Sequence, residues 1–371
     1  YNAGYIEAAG LLLKAKEYPA PFYLPKARLE FQRENLWMKN AELVYKGHSF
    51  FLNGNLQQLI GYIMGQSNLV GELSMEGKKL VVDDFMAFES SGPENGADSS
   101  NSSEGVVLLP TDLDLKFRAR FDTVQYGESV LHRLQGQLTI KNGALQLTET
   151  TAELAGAALA LTADYKPESL RSAQFALTAK ADSFDVQKAY QELAIFREMA
   201  PAAAYTRGLV SADYVLNGRL NELMKPVYPS ISGKGKIVLE QVQVKGLKLF
   251  SAVSKATGKD SINNPNLKAV VIKSSIRNNL ITIERTRMRI FGFRPRVEGQ
   301  VSLDGKLNLR FRLGLPPLGI IGIPMTVTGS SEQPIVKVRR GREEDELEET
   351  MDEEPENPEQ EQNQPGQNNP E

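Results

Sequence analysis

The chain has 371 residues, of which 41% are hydrophobic, enough for one large domain or two to three ordinary ones. It has no cysteine and two histidines, which excludes disulfides, thiolate metal sites, cysteine nucleophiles and multi-histidine metal sites. Residues 343–371 carry thirteen acidic and no basic side chains, so the net charge of −3 conceals a +10 body at residues 1–342. Such a body suits anionic surfaces, lipid head groups included, but also suits a solvated surface without a partner.

Alternation of apolar and polar residues dominates the chain and predicts strands with one dry and one wet face. The clearest strand is 111–121, in which five apolar residues alternate with charged ones. Further strands are predicted at 26–31, 134–140, 210–216, 267–272, 281–290 and 307–315. Turn signals favour antiparallel neighbours and occur at Glu34-Asn35, Asn142-Gly143, Asn278-Asn279 and Asp304-Gly305.

Helices are few. The pattern predicts one from Asp185 to Met199, capped by Ser183 or Asp185, and shorter ones at Gln57–Met64 and Leu247–Thr257. Gly258 would end the last helix. We therefore expect a mainly β fold, an extended, curved antiparallel sheet of repeated hairpin modules with a few short helices.

Composition divides the chain into blocks. We expect a first β repeat at 1–88, a low-complexity loop at 89–105, a middle repeat at 106–230, a last β region at 231–341 and a disordered acidic tail at 342–371. Two segments resemble each other: FFLNGNLQQL (50–59) and YVLNGRLNEL (214–223), each interpreted as a strand, an Asn-Gly and a helical turn. No apolar run of eighteen residues occurs, and the start at Tyr1 suggests a piece of a longer protein.

Motifs for catalysis are scarce. Gly258-Lys259 lacks the preceding glycine and following hydroxyl of a phosphate loop, and Gly233-x-Gly235 lacks the third glycine of a dinucleotide motif. No serine lies in a nucleophile elbow, and His48 is interpreted as a turn histidine. We expect no enzyme activity, no cofactor and no metal.

One basic stripe stands out. Its members alternate along a predicted hairpin and would contact phosphate head groups or an acidic partner. The alternative is a solvated sheet face without a partner. The members are Arg285, Arg287, Arg289, Arg294 and Arg296. Aromatic residues do not interleave with them, so nucleic-acid binding is not expected.

The apolar strand faces exceed what the predicted helices can cover. A fifteen-residue helix is roughly 22 Å long, which is short beside a long sheet. The apolar face must therefore pack on a second sheet or line a groove for an apolar ligand.

The region 231–338 resembles the C-terminal region of AsmA-family proteins in the order of its segments. These are SGKGKIVLEQVQVKGLKLFSAVSKATG (232–258), the chained hairpins of 278–316 and GIPMTVTGSSEQPIVKV (322–338). The resemblance implies repeating β-groove proteins that face the periplasm of diderm bacteria, are anchored in the inner membrane and take part in outer-membrane biogenesis. The anchor itself is absent from this chain.

Two hypotheses follow from the resemblance and the apolar faces. In the first, a non-enzymatic β-groove conducts phospholipid acyl chains between the membranes. In the second, a closed β core serves as a scaffold for envelope-protein targeting, with a protein partner. The expected groove lining is Leu113, Leu115, Phe117, Phe121, Leu138, Ile140, Leu145, Leu147, Leu177, Leu216, Ile281, Ile283, Leu309, Phe311 and Leu313.

Overall fold

A computed structural model describes residues 3–14, 20–86, 106–193, 196–197 and 200–339. They form one long, curved, open sheet of eighteen strands, which confirms the predicted mainly β fold. The strands are β1 (Ala3–Leu13), β2 (Phe22–Gln32), β3 (Asn35–Tyr45), β4 (His48–Gln57), β5 (Leu69–Val81), β6 (Leu113–Tyr126), β7 (Ser129–Lys141), β8 (Ala144–Leu154), β9 (Ala157–Ser169), β10 (Ser172–Asp185), β11 (Thr206–Leu220), β12 (Ser232–Val244), β13 (Asn266–Arg277), β14 (Leu280–Arg287), β15 (Arg294–Ser302), β16 (Lys306–Gly314), β17 (Gly322–Ser330) and β18 (Pro334–Val338).

Each strand pairs with its neighbours in chain order, from β1 to β18. Every pairing is antiparallel except that of β5 with β6. β6 starts at the end of the strands opposite to the one where β5 ends, an arrangement that a hairpin cannot produce. β5 pairs with β6 and β11 pairs with β12, so the described strands of the three predicted blocks lie in one sheet.

The strand ends form two long rims. We call edge A the rim with the connections 46–47, 127–128, 155–156, 186–205, 245–265, 288–293 and 315–321. Edge B is the opposite rim, with the connections 33–34, 58–68, 142–143, 170–171, 221–231, 278–279, 303–305 and 331–333.

Four short helices occur in the described residues: α1 (Leu59–Ile63), α2 (Asp83–Met86), α3 (Val186–Glu192) and α4 (Lys248–Thr257). α3 is shorter than predicted, because Leu193 has extended backbone angles. Its cap is Asp185, whose carboxylate accepts hydrogen bonds from the Gln187 and Lys188 amides. Gly258 ends α4 with φ 67°, a left-handed conformation that favours glycine.

The turn predictions at Asn142-Gly143 and Asn278-Asn279 are confirmed, since all four residues have positive φ. The predicted Glu34-Asn35 turn is wrong by one residue, because Arg33 supplies the positive φ and Asn35 already pairs with Gln32. The Asn-Gly pairs of the two similar segments lie inside β4 and β11 and make no turn. The loop 89–105 and the tail 342–371 lie outside the described residues.

The hydrophobic core lies on one face of the sheet, which we call the inner face, and is concentrated towards edge A. α3 contributes Val186 and Ala189, and α4 contributes Phe250 and Val253. α4 also packs against β18, six strands away from β12, where the helix begins. The curved sheet therefore encloses α4, and burial of each large apolar side chain there contributes about 1.5–3 kcal/mol.

Candidate functional site

One row of side chains crosses the inner face of all eighteen strands without a charged or hydrogen-bonding member. Directly paired residues of neighbouring strands lie on the same face, so the pairings define the row. At a strand spacing of about 4.8 Å, the row follows a path of roughly 80 Å along the curved sheet. Its members, in order, are Ile6, Leu29, Met38, Gly54, Leu73, Phe117, Leu138, Leu147, Ala163, Leu177, Leu216, Gly233, Ile276, Ile281, Val301, Leu307, Gly329 and Pro334.

The next row, one residue along most strands, lies on the outer face and is mostly polar. From β2 to β12 it reads Glu30, Trp37, Asn55, Glu72, Lys116, Thr139, Gln146, Asp164, Ala176, Asn217 and Ser232. Its members bond to one another, for instance Gln146 Nε2 to Asp164 Oδ1 at 2.9 Å. The sheet therefore separates an apolar face from a wet one, as the alternation predicted.

Register places all fifteen predicted lining residues on the inner face, in two environments. Five belong to or pack against the main hydrophobic cluster: Phe121, Ile283, Leu309, Phe311 and Leu313. The last three are 4%, 2% and 0% exposed, so they are core residues in this conformation. The other ten lie outside that cluster: Leu113, Leu115, Phe117, Leu138, Ile140, Leu145, Leu147, Leu177, Leu216 and Ile281.

Nine of those ten form a continuous patch on β6 to β11, towards edge B, which we call the open strip. Cross-strand pairs such as Leu115 with Ile140 and Leu177 with Leu216 connect its members. All but Leu115 are partly exposed. Sequence reasoning missed Tyr165 and Phe175, a directly paired couple that extends the patch on β9 and β10. Their alternation with polar neighbours was the available signal, but only register places them beside the strip.

Tyr165 lies in the open strip, and a second phenol, Tyr126 at the edge A end of β6, contacts the same 221–231 connection. Tyr165 Oη donates to the Val107 carbonyl at 2.8 Å and lies 3.7 Å from Met224 Sδ, and Tyr126 Oη lies 3.4 Å from the Met224 carbonyl. Burial raises the pKa of Tyr165 to about 12 and raises the pKa of Tyr126. Connections 106–112 and 221–231 thus reach the inner face at one side of the strip.

A third phenol, that of Tyr214, has a hydrogen-bond partner within the sheet. Tyr214 Oη and Ser274 Oγ lie 2.8 Å apart, and burial raises the pKa of Tyr214. Its ring lies over Gly235, where a Cβ atom would be 2.5 Å from the ring carbons. The glycine therefore permits a close aromatic contact within β12, consistent with our rejection of a nucleotide motif.

The predicted basic stripe lies on the outer face of β14 and β15 and the residues beside them. Arg287 pairs directly with Arg296, and Arg285 Nε donates to Glu298 Oε2 at 2.9 Å. Arg289 is exposed, and Arg294 is partly buried beside the 315–321 connection. The structure therefore brings the five arginines together.

Three more arginines join this patch, which the sequence reasoning did not include. Arg296 pairs with Arg312, and Glu298 pairs with Arg310. Arg285, Arg296, Arg310, Arg312 and Arg339 line one small pocket together with Glu298. The arginines of 307–315 were visible as the polar half of an alternating strand, but their neighbours depend on register.

Ionisable clusters are otherwise sparse. Among the described residues, no group of three or more His, Asp or Glu side chains is placed to hold a metal ion. His48 Nε2 lies 3.9 Å from Asp84 Oδ2, at the start of β4. No described helix is long and apolar enough to span a membrane.

Comparison with known proteins gives no further assignment. No family model, no curated protein and no solved structure matches this chain.

Proposed function

We propose that this chain is a non-enzymatic, AsmA-like β-groove protein that faces the periplasm of a diderm bacterium and holds phospholipid acyl chains on the open strip. The observation that supports the proposal is the apolar inner row, which passes through eighteen strands without a polar side chain. A protein that only needed a closed core would have covered this face along its whole length.

The dimensions of the open strip suit an acyl chain. β6 to β11 span five strand spacings, roughly 24 Å. One leaflet of a bilayer is about 15 Å thick in its hydrocarbon part, so a lipid tail fits within that length. Each methylene buried against leucines and phenylalanines contributes about 0.8 kcal/mol, while the head group stays in water.

The proposed site excludes the C-terminal third of the inner face in this conformation. There Leu309, Phe311 and Leu313 are buried in the same hydrophobic cluster as Phe250 and Val253 of α4, so an acyl chain would have to displace that packing to pass along the complete row. This is the part that resembles the AsmA family. Because the apolar face of this C-terminal part is buried, we propose for this part alone the second hypothesis, a scaffold for an envelope-protein partner.

The test compares bound lipid in matched variants. Native mass spectrometry and solvent extraction of the purified protein should reveal phospholipid, and the stripped protein should take up a fluorescent phospholipid. Glutamate at Leu138 and Leu177 should abolish uptake, because the charges would lie among acyl methylenes. The control places glutamate at Thr139 and Ala176, on the outer face of the same strands, and should leave uptake unchanged.

Folding must be checked in both double variants by circular dichroism and thermal unfolding. A folded Leu138→Glu/Leu177→Glu protein that still takes up lipid would show that the strip is not the site. Wild-type protein that neither carries nor takes up phospholipid would overturn the proposal in favour of the scaffold.

A further inference from the structure

Two connections meet at edge A beside the arginine patch. A Cβ atom on Gly292 would lie 3.6 Å from Pro316 Cγ, so the connections 288–293 and 315–321 are in contact. A Cβ atom on Gly319 would lie 2.9 Å from Arg294 Cδ, which places the second connection over an arginine of the basic stripe.

Large apolar side chains are exposed on both connections. Phe291 is 65% exposed, Ile320 61% and Ile321 74%, and Leu318 is 57% exposed. We call these four residues the apolar tip. Single exposed apolar residues are ordinary, but four on two touching connections form a patch that indicates a binding surface.

Phe291 occupies a position that a phenylalanine seldom takes. Ile290 and Phe293 exchange two backbone hydrogen bonds around Phe291, with φ 46°, and Gly292, with φ 82°. This is a two-residue hairpin turn with positive φ at both central residues, for which Asn-Gly is the preferred sequence. A bulky residue in a left-handed conformation is strained, and such strain is common at functional sites.

The second connection is held in place by its backbone. Arg312 donates from Nη1 to the Gly319 carbonyl at 3.0 Å and from Nη2 to the Ile320 carbonyl at 2.7 Å. The Leu315 amide donates to the Ile321 carbonyl at 2.7 Å. The apolar side chains are therefore presented on an ordered backbone, which lowers the entropy that binding must offset.

The charge around the apolar tip is strongly positive. Residues 284–298, 310–312 and 337–339 contain nine basic and two acidic side chains, and one of the acids, Glu298, pairs with Arg285. Arg287 and Arg296 lie directly opposite each other, which concentrates positive charge on this part of the outer face. Arginine is well suited to phosphate, because its planar fork donates two parallel hydrogen bonds.

We propose that the apolar tip inserts into the interfacial layer of an anionic lipid bilayer while the neighbouring arginines contact lipid phosphates. Apolar side chains surrounded by cations are the combination that interfacial binding requires, since it adds apolar burial to attraction by anionic lipid. The inference goes beyond lipid binding on the open strip, because it assigns the membrane contact to edge A of β14 to β17. It does not require that a lipid ever enters the strip.

The test is flotation of the purified protein with vesicles of phosphatidylcholine, with or without one third phosphatidylglycerol. Wild-type protein should float with the anionic vesicles and much less with the neutral ones. Ile320→Ser/Ile321→Ser should weaken binding about tenfold or more, as expected when two side chains no longer enter the apolar layer. Phe291→Asn should also weaken binding, while its turn sequence becomes Asn-Gly and the fold is kept.

The matched control is Ile63→Ser. Ile63 is 74% exposed, as Ile321 is, but lies on α1 at edge B. It should bind like the wild type. Equal loss in Ile63→Ser and the edge A variants would overturn the assignment to this corner. If the wild-type protein binds neither vesicle type, membrane binding is overturned. A protein partner would then be the remaining candidate for the apolar tip.

A direct reporter of insertion completes the test. Trp37 is the single tryptophan, so Trp37→Phe/Phe291→Trp carries its only indole at the tip. Its emission should shift to shorter wavelength with anionic vesicles, and an unchanged spectrum would contradict insertion. The variant Leu138→Glu/Leu177→Glu should float normally, which separates this inference from the proposed lipid site.

Discussion

Lys248 Nζ lies 2.7 Å from Glu332 Oε2, and this ion pair joins the first residue of α4 to the connection between β17 and β18. The two residues are 84 positions apart, and α4 begins at the edge A end of β12 while Glu332 lies at edge B. The pair therefore marks how strongly the C-terminal sheet curves around its helix. Both side chains are largely exposed, so it marks this closure more than it stabilises it.

The ion pair predicts a small loss of stability at high pH. The hydrogen bond that Lys248 donates to Glu332 raises the pKa of Lys248 above the ordinary value of 10.5. A raised lysine pKa contributes stability that is complete below the unfolded-state pKa and is lost as pH rises through the folded-state value. Stability measured by urea unfolding should fall above pH 10.5 by slightly more in the wild type than in Glu332→Gln. Parallel curves for the two proteins would contradict the pairing in solution.

Packing of α4 on the sheet predicts unequal costs of truncation. Phe250→Ala should destabilise the protein by about 3–5 kcal/mol, since Phe250 is 6% exposed within the main cluster. Leu177→Ala on the open strip should cost about 1 kcal/mol, because the side chain is already partly exposed and lies outside the main cluster.

Lys255→Ala is the control for that comparison. Lys255 lies on the exposed side of α4, and alanine favours the helix, so the change should stay within about 0.5 kcal/mol. Denaturant midpoints of the three variants test the order. If Phe250→Ala cost no more than Lys255→Ala, α4 would not be docked on the sheet.

The raised pKa of Tyr165 predicts a second loss of stability at alkaline pH. Its pKa of about 12 lies above the ordinary value of 10, so the folded state favours the neutral phenol. That stability is complete below pH 10 and is lost between pH 10 and 12. In Tyr165→Phe this contribution disappears, so the wild type should lose more stability than the variant across that range.

Ultraviolet absorbance of phenolate provides the direct measurement. Tyr165→Phe should remove one tyrosine from the late part of the titration, near pH 12, and leave the earlier part unchanged. Loss of an early-titrating phenol instead would mean that Tyr165 is solvated and that its hydrogen bond to the Val107 carbonyl is absent in solution.

Much of the fold was predictable because it depends on local patterns. Alternation in 111–121 identified β6, and Asn142-Gly143 identified a hairpin. The capping carboxylate of Asp185 indicated where α3 starts. The parallel pairing of β5 with β6 was not predictable, since no local pattern specifies at which end of the strands β6 starts. The end of α3 was also missed, because Leu193 has extended backbone angles that interrupt the predicted helix, although residues 196–197 are helical again.

The sequence by itself determined which side chains face the same way, since the period of two is a property of each strand alone. It thereby placed the fifteen predicted lining residues on one face and five of the arginines on the other. Only the tertiary structure decided which of them are covered. Leu313 and Leu177 are equivalent in pattern, but Leu313 is fully buried in the main cluster, whereas Leu177 lies outside it and is partly exposed. The difference arises because register and curvature depend on contacts between residues far apart in the chain, which no local period encodes.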